Sequence, residues 1–167
     1  MNKSAFTLIE VLVVVILLGI MAAIVVPQFA TAGSSARASM LADDLRVMRM
    51  QIEICTQQHG GVAPGYPQGN PNSNADGETF VQQITSSTNF AYEFGERPSG
   101  DYPFGPYMSK MVVNPVNDRN TVRIHPANEA LPTEASNTHG WIYCPVRRIF
   151  LADAIGVDER GLRFIEY

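Results

Sequence analysis

The sequence predicts an α+β protein in which one long N-terminal helix, transmembrane in its first half, packs on a small C-terminal antiparallel β-sheet. Three observations support this prediction. An apolar run covers residues 6–26 and contains a single charge, Glu10. An apolar stripe at helical spacing follows it, and the C-terminal third contains short segments rich in β-branched and aromatic residues.

The apolar run is long enough to cross a membrane. A helix over its 21 residues is about 31 Å long at about 1.5 Å per residue, which matches a hydrocarbon core of roughly 30 Å. Lys3 and the initiator amine are positive, so we expect the N-terminus inside and the bulk of the chain outside. We divide the chain into a short N-terminal segment at 1–5, a transmembrane helix at 6–27, and an α+β domain at 28–167.

Three processing fates fit this N-terminus. A secretory signal could be cut after Ala32, because Ala30-Thr31-Ala32 has the small-x-small pattern, but the apolar run exceeds the usual length of about 7–15 residues. An uncleaved anchor is the second fate. Neither of these two fates explains Glu10. Placing a carboxylate in lipid costs about 3 kcal/mol, so its presence needs an explanation. The third fate is a cut between Ala5 and Phe6.

The third fate is supported by a family resemblance. The segment Phe6-Thr7-Leu8-Ile9-Glu10, with the apolar helix and Pro27 after it, resembles the prepilin N-terminal motif of type IV pilins and type II secretion pseudopilins. The resemblance implies a pilin-like fold, cleavage between Ala5 and Phe6 by a prepilin peptidase, and N-methylation of Phe6. Ala5 departs from the family, which most often has glycine before the cut.

Cleavage there gives Glu10 a role in assembly. The new amine on Phe6 is a cation, and Glu10 lies one helical turn further along as the only anion of the run. In a bundle of staggered helices, the Glu10 carboxylate of one subunit can meet the Phe6 amine of the next. Such a pair in a medium of low dielectric fixes register more surely than it adds stability.

The apolar stripe predicts that the helix continues to Gln58. It has spacings of 4, 3, 4 and 3, and its members are Leu41, Leu45, Met48, Ile52 and Cys55. We expect the helix to end at His59 with Gly60 as its cap. After a loop at residues 62–77, Asp76 is expected to cap a short helix at 78–86.

The remaining chain predicts a surface segment and then strands. Residues 92–106 are aromatic and turn-rich, and we expect them to wrap the surface. Strands are predicted at 121–124, 140–144 and 148–152, the last two as a hairpin. Residues 162–165 are expected to add a last strand or to pack beside the sheet.

A second resemblance points to pseudopilins. The segments Gly105-Pro106-Tyr107, Asn114-Pro115 with Asn117, and Gly140-Trp141-Ile142-Tyr143 resemble the sheet region of major-pseudopilin-like proteins. This implies a structural subunit that polymerises with itself and other pseudopilins, on an inner-membrane assembly platform, into a periplasmic type II secretion pseudopilus. The alternative is a type IV pilin or minor pilin of a surface fibre for adhesion, motility or DNA uptake. A third hypothesis is an unpolymerised anchored or secreted protein.

Cys55 and Cys144 are an even pair in a chain expected to leave the cytoplasm, so they predict a disulfide between helix and sheet, with two free buried thiols as the alternative.

Composition and motifs argue against an enzyme or a nucleic-acid binder. The net charge is −4, and no zinc-protease, nucleophile-elbow or phosphate-loop motif is present. No cofactor is predicted. The pseudopilin resemblance implies that calcium could be held near the C-terminal sheet, where Asp101, Asp118 and Asp153 are candidate donors, but no run of acids marks a site. We therefore assign no metal ligand.

Overall fold

The computed structural model describes residues 7–95 and 100–167 of the chain. The helices are α1 (Leu8–Gln58) and α2 (Gly77–Thr85). The strands are β1 (Ser87–Thr88), β2 (Phe94–Gly95), β3 (Val122–Ile124), β4 (Trp141–Cys144) and β5 (Ile149–Ala152). Two short 3-10 turns cover Pro67–Gly69 and Phe164–Glu166. The α+β class and the long N-terminal helix predicted from the sequence are confirmed.

The described chain falls into two units, the first ending at Ala36 and the second covering Arg37–Tyr167. The first unit is helical, and none of its Leu8–Val26 stretch is buried. By length and composition this stretch can cross a membrane. Exposed apolar surface of this extent is typical of segments that contact lipid or other protein.

In the second unit, the predicted stripe of α1 is the buried face of the helix. Leu41, Met48 and Cys55 have no exposed surface, and the other predicted members are also buried. The helix ends where the sequence indicates: Gly60 has a φ of 67°, and the N–H of Gly61 donates to the carbonyl of Thr56 at 2.8 Å. This hydrogen bond, which spans five residues of the chain, is characteristic of a Schellman motif. The motif needs a residue with a positive φ at the position of Gly60, and glycine adopts that conformation at no steric cost.

Helix α2 begins with the predicted cap. One Asp76 carboxylate oxygen accepts from the N–H of Thr79 at 2.7 Å, and the other accepts from its hydroxyl at 2.6 Å. Phe80 and Ile84 point into the core of the second unit. The helix spans Gly77–Thr85, within about one residue of the prediction at each end.

The main sheet has the order β3-β4-β5 and is mixed. β4 and β5 form the predicted antiparallel hairpin, in register from Trp141 opposite Ala152 to Cys144 opposite Ile149. β3 pairs with β4 in parallel, so the purely antiparallel sheet of the prediction requires correction. The physical reason is the connection over residues 125–140, which is long enough to bring the chain back to the starting end of β3.

Two further details differ from the sequence interpretation. Ser87–Thr88 and Phe94–Gly95 form a small antiparallel pair, β1 with β2; the second of these strands lies in the segment 92–106 that was expected only to wrap the surface. Both strands are two residues long, too short for a periodic signal. Residues 164–166 form a 3-10 turn, and Phe164 and Ile165 are buried. Of the two alternatives for this segment, it packs beside the sheet.

The core of the second unit joins the stripe of α1 to aromatic residues of the sheet and α2. The ring of Phe80 lies 4.6 Å from that of Tyr143, and Trp141 lies 5.3 Å from Phe150, measured between ring centroids. Each fully buried large apolar side chain contributes about 1.5–3 kcal/mol, so this cluster is the main source of stability. Arg49 adds a polar tie, because its guanidinium donates twice to the carbonyl of Phe150 on β5.

Candidate functional site

The first turn of α1 is closed by a capping box between Thr7 and Glu10. The Thr7 hydroxyl accepts from the N–H of Glu10 at 3.3 Å, and the Glu10 carboxylate accepts from the N–H and the hydroxyl of Thr7, both at 2.9 Å. This reciprocal pattern satisfies donors that the first helical turn leaves free. Within one chain, Glu10 is therefore a helix cap.

Sequence reasoning missed this cap, although the signal was present. A threonine followed three residues later by glutamate, ahead of an apolar run, is the signature of a capping box. The charge pair with the Phe6 amine of another subunit is a second role that the sequence predicts for the same carboxylate. The two roles are compatible, because both carboxylate contacts to Thr7 are exposed.

The predicted processing site, the bond between Ala5 and Phe6, lies outside the described residues. Cleavage there and methylation of Phe6 stay predictions. What the structure does describe is the segment directly after Phe6: a capped helix start at Thr7, followed by the exposed apolar stretch Leu8–Val26.

Cys55 and Cys144 are both free and buried in the structure, which agrees with the alternative of two unbridged thiols. Burial raises the pKa of Cys55 to about 11, against a weaker opposing effect of hydrogen bonds from tyrosines. The thiol of Cys55 is 3.8 Å from the Nδ1 atom of His59. At neutral pH this pair holds a protonated thiol, which is a poor nucleophile, so it is not an activated cysteine.

His59 completes a buried polar cluster at the end of α1. Its Nδ1 atom lies 2.8 Å from the carbonyl of Cys55, and its Nε2 atom lies 3.1 Å from the hydroxyl of Thr88. A neutral ring that donates from Nδ1 and accepts at Nε2 satisfies both contacts. The Tyr92 ring stacks on the imidazole at 3.7 Å between centroids. These contacts join α1 to the β1–β2 pair and have a structural role.

The three aspartates considered for calcium do not form a site. Asp101 and Asp118 are exposed, whereas Asp153 has no exposed surface. Among the described residues, no group of three or more histidine, cysteine, aspartate or glutamate side chains could hold a metal ion. The carboxylate of Asp153 faces hydrogen-bond donors: the N–H groups of Ser136 (2.6 Å) and His139 (3.1 Å) and the Ser136 hydroxyl (2.7 Å).

These donors affect the ionisation of Asp153. Burial acts to raise the pKa of its carboxyl, but the hydrogen bonds from Ser136, His139 and Asn137 outweigh burial and lower the pKa overall. The carboxylate is thus ionised and already satisfied by the loop at residues 136–139. A cation there would meet N–H groups, so the residues present do not fit calcium.

The structure and the sequence together define a class. A capped apolar helix start leads into a long helix whose second half supplies one face of a small α+β core, with a short sheet and long loops at the C-terminal end. This is the arrangement that the resemblance to pilin-like proteins implies, and the Leu8–Val26 stretch of the helix is not buried within the chain.

Comparison with known proteins agrees with this class. Residues 1–26 match the family described as the prokaryotic N-terminal methylation motif. The chain is 36% identical over 88 residues to the type II secretion system core protein G of Pseudomonas aeruginosa. The match covers 46% of this chain and 62% of that protein's length. No solved structure gave a significant match. The predicted resemblance to pilin-like proteins and to pseudopilins is confirmed.

Proposed function

We propose that this chain is a pseudopilin subunit of a type II secretion system, which polymerises through α1 after cleavage between Ala5 and Phe6. The single observation that supports it best is that the methylation motif at 1–26 includes an exposed apolar helix at Leu8–Val26. A prepilin peptidase substrate needs the first feature, and a helical filament core needs the second. Similarity to core protein G favours a pseudopilus over the alternative of an adhesive surface fibre.

The proposal includes a location and a set of partners. The chain is a single-pass inner-membrane protein before assembly, with its N-terminus in the cytoplasm and residues 28–167 in the periplasm. Its partners are further copies of itself, other pseudopilins, the prepilin peptidase and the inner-membrane assembly platform. Its role is structural, not enzymatic. In spheroplasts, protease added outside should remove the epitopes of residues 28–167; their protection would overturn the orientation.

Mass spectrometry of the purified N-terminus tests the processing step. A methylated Phe6 at the N-terminus is the expected result. An N-terminus at Gly33 would indicate a secretory signal, and one at Met1 would indicate an uncleaved anchor. Either result would overturn the proposal. A substitution of Ala5 by glycine, the residue more usual in the resembling family, should be cleaved at least as well.

Two substitutions of Glu10 separate its two roles. Glu10→Gln keeps an oxygen that can accept from the N–H of Thr7 but removes the charge, whereas Glu10→Ala removes both. If the Glu10 carboxylate pairs with the Phe6 amine of a neighbouring subunit, both variants should be cleaved yet fail to form filaments or support secretion. Normal assembly of Glu10→Gln would mean that Glu10 acts only as a helix cap and would refute the charge pairing.

A matched control removes the threonine half of the capping box and leaves Glu10 unchanged. Thr7→Val removes the hydroxyl that accepts from the N–H of Glu10 while leaving the Glu10 charge in place. Loss of a capping side chain typically costs about 1 kcal/mol of helix stability. In a filament fixed by the charge pair, Thr7→Val should still assemble, at a reduced yield. Loss of assembly in Thr7→Val with normal assembly in Glu10→Gln would reverse the interpretation.

A further inference from the structure

Three stretches of chain meet beside the C-terminal sheet of the second unit: the turn at residues 114–119, the loop at 136–140, and Asp153 after β5. Asn114 has no exposed surface, and its side-chain amide donates to the carbonyl of Gly140 at 2.8 Å. Gly140 lies so close that a Cβ there would be 2.2 Å from the carbonyl oxygen of Arg119. The stretches are therefore packed backbone against backbone, and polar contacts hold them together.

The side-chain amide of Asn117 lies at the centre of this junction. Its Nδ2 atom is 3.1 Å from Oδ1 of Asn137, 2.8 Å from the carbonyl oxygen of His139 and 2.9 Å from the carbonyl oxygen of Asp153. We call these three atoms the oxygen cage. An amide nitrogen has two hydrogens, so it cannot donate a separate hydrogen bond to each of three acceptors. The partial positive charge of the NH₂ group attracts all three oxygens.

The orientation of the Asn117 amide is fixed by its other end. Its Oδ1 atom accepts from the N–H of Arg119 at 3.2 Å. If the amide were reversed, an oxygen would face the three oxygens of the cage and an NH₂ group would face an N–H donor. Both contacts would be repulsive, so only the observed orientation is compatible with the surroundings.

Uncharged oxygens of this kind, two main-chain carbonyls and an amide, are also typical ligands of calcium. Calcium, however, needs six to eight oxygens and usually several carboxylates. The nearest buried carboxylate, Asp153, faces N–H and O–H donors from residues 136–139. The place that a cation would need is taken by the Asn117 nitrogen, and the negative charge that would bind it is already satisfied.

We propose that Asn117 and Asp153 together hold the loop at 136–140 to the sheet in place of a calcium ion, so that the fold of this chain does not depend on calcium. The Asn117 amide supplies the positive centre for the oxygen cage, and the Asp153 carboxylate supplies the negative centre for the N–H groups. The inference concerns folding alone and is independent of whether the chain polymerises.

The first test compares thermal unfolding of the full chain in detergent, in excess EDTA and in excess calcium chloride. The unfolding temperature should be the same in both. A resident site near saturation would raise it by about 5 °C or more, because a ligand that binds only the folded state stabilises that state. A calcium-dependent rise of that size in the unsubstituted chain would overturn the proposal.

The second test removes the positive centre of the oxygen cage. Asn117→Asp places a carboxylate oxygen against three oxygens, so its unfolding temperature should fall further than that of Asn117→Ala, which only removes the contacts. Asn120→Asp is the matched control, because Asn120 is exposed three residues away and undergoes the same charge change; its unfolding temperature should change little.

The outcome for Asn117→Asp decides whether the cage has been identified correctly. A fall in unfolding temperature larger than that of Asn117→Ala, and absent in Asn120→Asp, supports it. An Asn117→Asp variant that is as stable as Asn117→Ala, or more stable, would overturn the claim that the Asn117 nitrogen is the positive centre of the cage. Unfolding is measured without secretion or filament assembly, so failure here is distinct from failure of the proposed function.

Discussion

Replacing Arg49 by methionine should destabilise the second unit, because it removes the polar contacts between α1 and the chain at β5 and Tyr167. The guanidinium donates to the carbonyl of Phe150 from Nε at 3.1 Å and from Nη2 at 2.9 Å, and Nη2 also lies 2.5 Å from the main-chain oxygen of Tyr167. Hydrogen bonds from a charged group contribute about 1.5–3 kcal/mol each. Because all three share one partly solvated guanidinium, their sum overstates the effect, and we expect a loss of about 2–4 kcal/mol.

The measurement is urea unfolding of the full chain in detergent, followed by the fluorescence of Trp141, the only tryptophan and fully buried. The expected loss corresponds to a fall of about 5–15 °C in the unfolding temperature. Arg46→Met is the matched control, because Arg46 makes one exposed contact, to Asp43 at 3.9 Å, which contributes at most about 0.5 kcal/mol. If both variants lose equally little, the tie between Arg49 and β5 is not a source of stability.

Three further predictions follow from burial. Leu45→Ala should cost about 2–5 kcal/mol, whereas Met50→Ala, 53% exposed on the same helix, should have little effect; equal losses would contradict the assignment of the buried face. Cys55 and Cys144 should resist alkylation at neutral pH until denaturant is added, and rapid labelling of the native protein would contradict their burial. Burial lowers the pKa of His59, against weaker backbone hydrogen bonds, so the unfolded chain binds a proton first as pH falls. Stability should therefore decrease below about pH 6.5, and less so in His59→Asn; identical profiles would exclude His59 as the cause.

Features set by local spacing could be predicted from the sequence. The stripe from Leu41 to Cys55 repeats every three or four residues, so one face of a helix follows from geometry alone. The Asp76 cap and the Gly60 stop depend on contacts within one turn, and the β4–β5 hairpin depends on a short connection. Each of these elements lies at or within about two residues of its predicted position.

Features set by distant contacts could not be predicted. The parallel pairing of β3 depends on how residues 125–140 are held, which in turn depends on Asn117 and Asp153. Arg49 donates a hydrogen bond to a carbonyl 101 residues further along the chain, and no periodic pattern in the sequence predicts that contact. The Thr7–Glu10 capping box is a local feature and could have been predicted. It was missed because the same carboxylate also suggests a charge pair with the Phe6 amine of another subunit.

The two free thiols bear on how the protein can be made. Cys55 and Cys144 are buried without a bridge, so the core is closed by packing alone and no oxidative step is required to complete it. A reducing compartment is then no obstacle to the native state, and dithiothreitol in a purification buffer should leave the protein unchanged.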